Sequence, residues 1–240
     1  MKRRSLIGTA TAIVASIVLA SSALAAGFTN GSLEGTLTPS YPGYDFQRLA
    51  SGATTIPGWT VTSGDVDWIG TYWQAQQGTK SIDLDGAANG AISQIFDTIS
   101  GKTYFVSFYL SGNPADGPAI KTLTVNATGG ATTTYSYDTS VTGNTLADMK
   151  WAAAGYSFTA SGATATLTFT STTTPVGWGP ALDNVVVTQV ATSGAQCKNG
   201  GWATGLFLDS NNAPLTFKNQ GDCVSYFATS GQTPIGAPAP

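Results

Sequence analysis

The chain has 240 residues, 10 basic and 13 acidic, with 29 glycines, two cysteines and no histidine. Without histidine there is no Ser-His-Asp or Cys-His nucleophile system and none of the usual zinc or non-haem iron sites. Lys and Arg are clustered only in the first four residues, so no nucleic acid partner is expected, because phosphate backbones are met by clustered cations.

At the start of the chain, Lys2, Arg3 and Arg4 precede an uncharged, mostly apolar stretch over residues 6–20, and Ala23-Leu24-Ala25 follows as a small-x-small triplet. This is the layout of a secretory signal peptide. Residues 1–25 are therefore expected to be removed, leaving a secreted, extracellular protein, with the cell surface or cell wall as possible sites. The alternative is an uncleaved anchor helix, but the stretch falls short of the roughly 20 apolar residues of a membrane span. No later segment is long and apolar enough, so no transmembrane segment is expected in the mature chain. The leader takes three of the ten basic residues, which leaves seven against thirteen acids.

From residue 26 to about 191 the chain is rich in Gly, Thr, Ser, Val and aromatics and poor in charge. Alternating runs recur between Gly, Asn, Asp and Pro. They cover residues 80–84, 91–96, 103–110, 121–125, 163–170 and 184–190. Helix-period amphipathicity is absent from any long window. Short strands with frequent turns predict an all-β, antiparallel sandwich or barrel. Residues 192–240 read as an appendage: a short connection, a segment bounded by Cys197 and Cys223, and a Pro/Ala/Gly-rich tail expected to be disordered. In an exported protein the isolated cysteine pair predicts one disulfide; two reactive thiols are the alternative.

Several aromatics stand beside Gly, Pro or polar residues: Trp59, Trp68, Tyr72, Trp73 and Trp178. Flat rings cover the apolar faces of sugars while flanking polar groups take the hydroxyls. Asp65 and Asp67 share a face if their stretch is a strand. Asn113 and Asp116 fall in the loop of residues 112–118. A ligand cleft is expected from Trp73, Trp178, Asp67 and Asp116, with Tyr72 and Asn113 nearby. Any one of these tryptophans could instead be core. Asp65/Asp67 and Asp83/Asp85 also have the spacing of paired carboxylates for glycoside hydrolysis, but Asp-x-Asp beside Gly is more often a turn or metal element.

An ordered series of short motifs carries a family resemblance. It runs Asn30-Gly31-Ser32-Leu33-Glu34, Pro57-Gly58-Trp59, residues 64–70, residues 81–86, residues 90–94, Ser111-Gly112-Asn113-Pro114 and residues 179–185. In this order it resembles the bacterial choice-of-anchor C family, which is similar to the plant cell-wall proteins of domain-of-unknown-function 642. Leu33 stands where Phe is usual, and no C-terminal anchor is visible. The resemblance implies a galactose-binding-like jelly-roll sandwich, secretion and association with cell wall or polysaccharide, with no established enzyme activity. It also implies that Glu34 and Asp183, with carbonyls near Ser32, hold a structural Ca²⁺; loop capping by the two acids is the alternative. The leading expectation is a non-catalytic, glycan-binding secreted protein. A structural or adhesive protein with a protein or matrix partner comes second, and a glycoside hydrolase third.

Overall fold

The computed structural model describes residues 25–211 and 213–231. The leader reading over residues 1–24 and the tail after residue 231 lie outside the described residues. In chain order the main strands are β1 (Phe46–Ala50), β2 (Thr60–Ser63), β3 (Asp65–Ile69), β4 (Ser81–Asp83), β5 (Ala91–Asp97), β6 (Thr103–Gly112), β7 (Ile120–Ala127), β8 (Thr133–Asp138), β9 (Ala152–Thr159), β10 (Thr164–Ser171) and β11 (Pro180–Gln189). They form two antiparallel sheets, one ordered β1-β3-β4-β11-β6-β9 and the other β2-β5-β10-β7-β8. Face to face, these make a jelly-roll sandwich, the predicted all-β class.

The alternation read in the sequence becomes the core. In β6, Tyr104, Val106, Phe108 and Leu110 point inward, and in β10 Ala165, Leu167 and Phe169 do the same. Trp59 and Trp68, ambiguous in sequence, are core residues at 2% and 0% exposure. Each indole N–H donates to the N-terminal segment, Trp59 to the Asn30 carbonyl at 2.9 Å and Trp68 to the Leu33 carbonyl at 2.8 Å. A buried indole needs such an acceptor. Truncating either ring would cost about 3–5 kcal/mol. The same segment is stitched to the last strand, with Ala25 N–H on the Val187 carbonyl and Val185 N–H on the Gly31 carbonyl. A side chain at Gly31 would collide with the Val185 carbonyl, so the Asn30-Gly31 turn requires glycine there.

Strand β11 begins four residues before the expected 184–190 run. Its pairing with β6 shifts register between Asp183 and Val186, and Asn184 has φ +50°. This bulge hides the first half of the strand from a period-2 reading.

The two outer faces differ. On the five-stranded sheet, Thr60, Ser93, Thr168 and Asn126 stand side by side across four strands, and Thr170, Thr124 and Thr134 form a second rank. The outer face of the six-stranded sheet carries Arg48, Asp67, Asp83 and several aromatic rings.

Beyond β11 a small unit follows: a 3₁₀ turn (Gly194–Cys197), α1 (Gly201–Thr204), a hairpin of β12 (Phe207–Leu208) and β13 (Pro214–Leu215), and α2 (Gln220–Ala228). Cys197 and Cys223 form the expected disulfide, with Cα atoms 5.8 Å apart. They pack with Ala191, Phe207 and Phe217 in a separate apolar cluster. In the chain-entropy account, closing this loop contributes about 3 kcal/mol. Among the described residues no helix is long and apolar enough to cross a membrane.

Candidate functional site

A cavity of ≈ 350 Å³ opens on the outer face of the six-stranded sheet. Its floor is made by β1, β3 and β4. Arg48 stands opposite Asp67, and Asp67 stands opposite Asp83, so three polar side chains form one rank across three strands. Arg48 donates through Nε and Nη2 to the two carboxylate oxygens of Asp67, both at 2.8 Å. This planar, bidentate pairing holds the guanidinium flat against the sheet. Burial pushes the Asp67 carboxyl up, and the Arg48 hydrogen bonds oppose that.

Asp83 lies at the bottom, fully buried. It accepts from Asn113 Nδ2 at 2.8 Å, from the Asp85 amide at 2.9 Å and from the Gly179 amide at 3.0 Å. Burial raises its carboxyl to about 8 despite those donors. Asp83 thereby ties together the two loops that flank the pocket, residues 112–118 and 175–179. Asp85, next to it, is also fully buried, and neither of its carboxylate oxygens has a hydrogen-bond partner. Burial pushes its carboxyl up to about 6, while the charge of Lys121 pulls the other way.

Aromatic rings form the walls. Over β1, the turn of residues 41–44 places Tyr41 and Tyr44 against Phe46, at ring distances of 5.5 and 6.1 Å. Tyr72 closes on Phe46 at 5.8 Å. Arg48 also lies 5.7 Å from the Tyr41 ring, a cation–π contact. Across the pocket, Trp178 rises from the loop before β11. Trp178 is 37% exposed, Tyr41 43% and Tyr44 54%. Apolar rings held at this exposure over a polar floor are equipped to cover a ligand with both apolar faces and hydroxyls.

Of the cleft residues expected from sequence, Asp67, Tyr72, Asn113 and Trp178 line this one pocket. Trp73 and Asp116 do not. Trp73 is 3% exposed, donates from Nε1 to Ser81 Oγ at 2.7 Å and packs with Ile69, Met149 and Ala181. Its polar neighbours in sequence suggested exposure, but it anchors a small satellite core. Asp116 faces away. Its carbonyl accepts from buried Lys121 Nζ at 2.8 Å, and its turn backs Trp178. Gly117, at φ +81°, comes so near that a Cβ there would lie 3.1 Å from Trp178 Cβ.

Arg48, Tyr41, Tyr44, Phe46 and Gly177 were missed as site residues, and Asp83, weighed only as a carboxylate partner of Asp85, lines the pocket as well. One signal was available: Arg48 is the only arginine outside Arg3 and Arg4. The two tyrosines around Pro42-Gly43 gave a weaker one.

The acids expected to hold calcium are neighbours, but they hold a loop. Glu34 accepts from the Thr79 and Lys80 amides at 2.7 and 2.9 Å and from the Thr79 hydroxyl at 2.9 Å. Asp183 accepts from the Gln76, Gln77 and Asn184 amides at 2.8, 2.9 and 2.6 Å. Burial, with the Glu34 charge beside it, raises the Asp183 carboxyl to about 7. The positive ends of N–H dipoles thus occupy the oxygens a cation would use, and Ser32 sits in the adjacent turn. As arranged, this pair does not fit a calcium ion. Among the described residues no group of three or more acids, cysteines or histidines is placed to hold a metal.

Solved structures with this architecture include the carbohydrate-binding module TmCBM61 in complex with β-1,4-galactotriose, at 19% identity over 55% of this chain and 88% of that one, TM-score 0.39. A CBM35 from Paenibacillus barcinonensis is similar at 17% identity over 59% and 97%, TM-score 0.38. At such values the likeness says nothing of ligand. A curated relative, halomucin of Haloquadratum walsbyi, is 33% identical over 162 residues, or 67% of this chain. The chain spans about 2% of the length of that relative. A family model described as "Protein of unknown function (DUF642)" matches residues 26–188, two-thirds of the chain, and the protein belongs to that family.

Proposed function

We propose that this is a secreted, non-catalytic carbohydrate-binding protein that acts at a cell wall or on extracellular polysaccharide. One observation carries the reading: exposed rings from two separate loops, Tyr41 and Tyr44 from one and Trp178 from the other, line one pocket over a fixed, hydrogen-bonded polar floor. Arg48 keeps unused N–H donors toward the cavity, Asp67 keeps acceptor lone pairs, and Asn113 Nδ2 has a second hydrogen. Vicinal sugar hydroxyls need such paired donors and acceptors, and the rings cover C–H faces.

The floor also argues for binding over catalysis. A glycosidase needs one free nucleophile or base and one acid that can reach the leaving oxygen. Both oxygens of Asp67 are tied to Arg48, and Asp83 is buried beneath three N–H donors. Within the family, the motif series from Asn30 to Val185 supports placing the chain with the bacterial choice-of-anchor C proteins.

The test is retention of the purified protein on a panel of insoluble and soluble polysaccharides, with Trp178→Ala beside it. Selective retention that Trp178→Ala abolishes is expected. A folded protein retained by no glycan would refute the reading and shift weight to an adhesive role toward protein.

A further inference from the structure

We infer, resting on the carbohydrate-binding reading above, that the pocket takes one uncharged sugar residue at the end of a glycan and discriminates against uronates and sulfated sugars. Size is the first argument. Ligand pockets run from about 300 to 1,000 Å³, and this one, at ≈ 350 Å³, is near the lower limit. Along the strands its floor extends from the Phe46–Ile69 pair to the Arg48–Asp67 pair. Two residues of strand cover only about 7 Å, the span of a single ring. Across the strands, the walls stand over β1 and β11, three positions apart in the sheet. That is roughly 14 Å between backbones, and side chains from both walls fill part of it. Tyr72 against Phe46 closes one end. All five lining rings, Tyr41, Tyr44, Phe46, Tyr72 and Trp178, belong to this one short span.

Charge is the second argument. Among the described residues lining the pocket, Arg48 is the only cation, while Asp67 and Asp83 are both acids. Arg48 is already neutralised by Asp67 and has Asp65 at 3.9 Å as well. The nearest other cation, Lys121, is fully buried, with Nζ on the Asp116 carbonyl. No positive charge is left over for a ligand carboxylate or sulfate, and burying such a group without a partner is costly. Neutral hydroxyls meet no such penalty.

The experiment is calorimetric titration of the purified protein with a series of neutral oligosaccharides from the retained polysaccharide, from one to six residues. It is accompanied by paired methyl glycosides that differ only in a C6 carboxylate. Affinity is expected to stay within about threefold from the disaccharide upward, and the uronate to bind at least about tenfold more weakly than its neutral partner. Asp67→Asn frees the Arg48 charge and should narrow that gap by about tenfold. An affinity that climbs tenfold or more between two and six residues would overturn the chain-end assignment. Equal or tighter binding of the uronate to the unaltered protein would overturn the neutral-sugar assignment, and this comparison decides even if Asp67→Asn fails to fold. Either of these results, with glycan retention intact, would leave the carbohydrate reading standing. Absence of all glycan binding would end both.

Discussion

On the outer face of the five-stranded sheet, threonines lie in ranks across the strands, and each hydroxyl can be satisfied by a neighbour or by water. Thr172 Oγ1, for instance, donates to Thr122 Oγ1 at 2.9 Å. On the outer face of the six-stranded sheet, Arg48 is paired with Asp67 and Asn113 with Asp83 in neighbouring positions, and removing one member of a pair leaves the other without its partner. The first face is additive and tolerant; the second is built of coupled pairs. Both follow the same strand alternation, so the fold sets only which residues point outward. What the outward residues require of each other decides where a ligand site can form.

The sharpest way to break that contrast is Arg48→Ala. It leaves buried Asp67 unpaired, so destabilisation of about 2–3 kcal/mol is expected, along with loss of glycan retention. Denaturant unfolding would measure it. Thr168→Ala, on the opposite face, should change stability by no more than about 0.5 kcal/mol in the same assay.

Acidity gives the next effect. The carboxyls of Asp83, Asp183 and Asp85 sit at about 8, 7 and 6 in the folded protein, all above the usual 3.8. The folded state therefore retains protons that the unfolded chain releases. The contribution of these three groups is full below about pH 4 and is lost as pH rises from there through 6 to 8. A melting temperature lower at pH 8 than at pH 5 by more than about 3 °C is expected, corresponding to about 1 kcal/mol in a domain of this size. A flat or rising profile would contradict the burial of these groups.

Smallest in its effect on stability is Trp178→Ala. It should weaken glycan binding about tenfold or more, a loss of about 1.4 kcal/mol, while the melting temperature moves by less than about 2 °C. Ile95→Ala removes an exposed side chain from the other sheet and should leave glycan binding unchanged. If Ile95→Ala weakened binding as much as Trp178→Ala, the ligand site would be on the wrong face.

The sequence made most of the sandwich legible, because β5, β6, β7 and β10 alternate cleanly between apolar and Thr or Ser. It hid β9, whose Ala152-Ala153-Ala154-Gly155 start has no β-branched or aromatic residue. That strand is held by eight register pairs with β6, a tertiary effect. It also hid β1, where Arg48 and Gln47 interrupt the apolar run. The site was legible in part. Asp67 and Asn113 flank recognisable turns, and Trp178 between two glycines signals an exposed ring. Arg48, Tyr41 and Tyr44 reach the pocket only because β1 pairs with β3, a contact between residues about twenty apart that no local pattern announces. Trp73 misled because exposure was inferred from neighbours in the chain, whereas its surroundings come from Ser81, Met149 and Ala181.

The stitch between Gly31 and Val185 has a geometric consequence. The chain enters the sandwich beside the same end of β11 from which it leaves, while Gly179 and Asn113, at the pocket, flank the opposite end. The pocket therefore stands clear of the strand end at which the chain enters and leaves the sandwich.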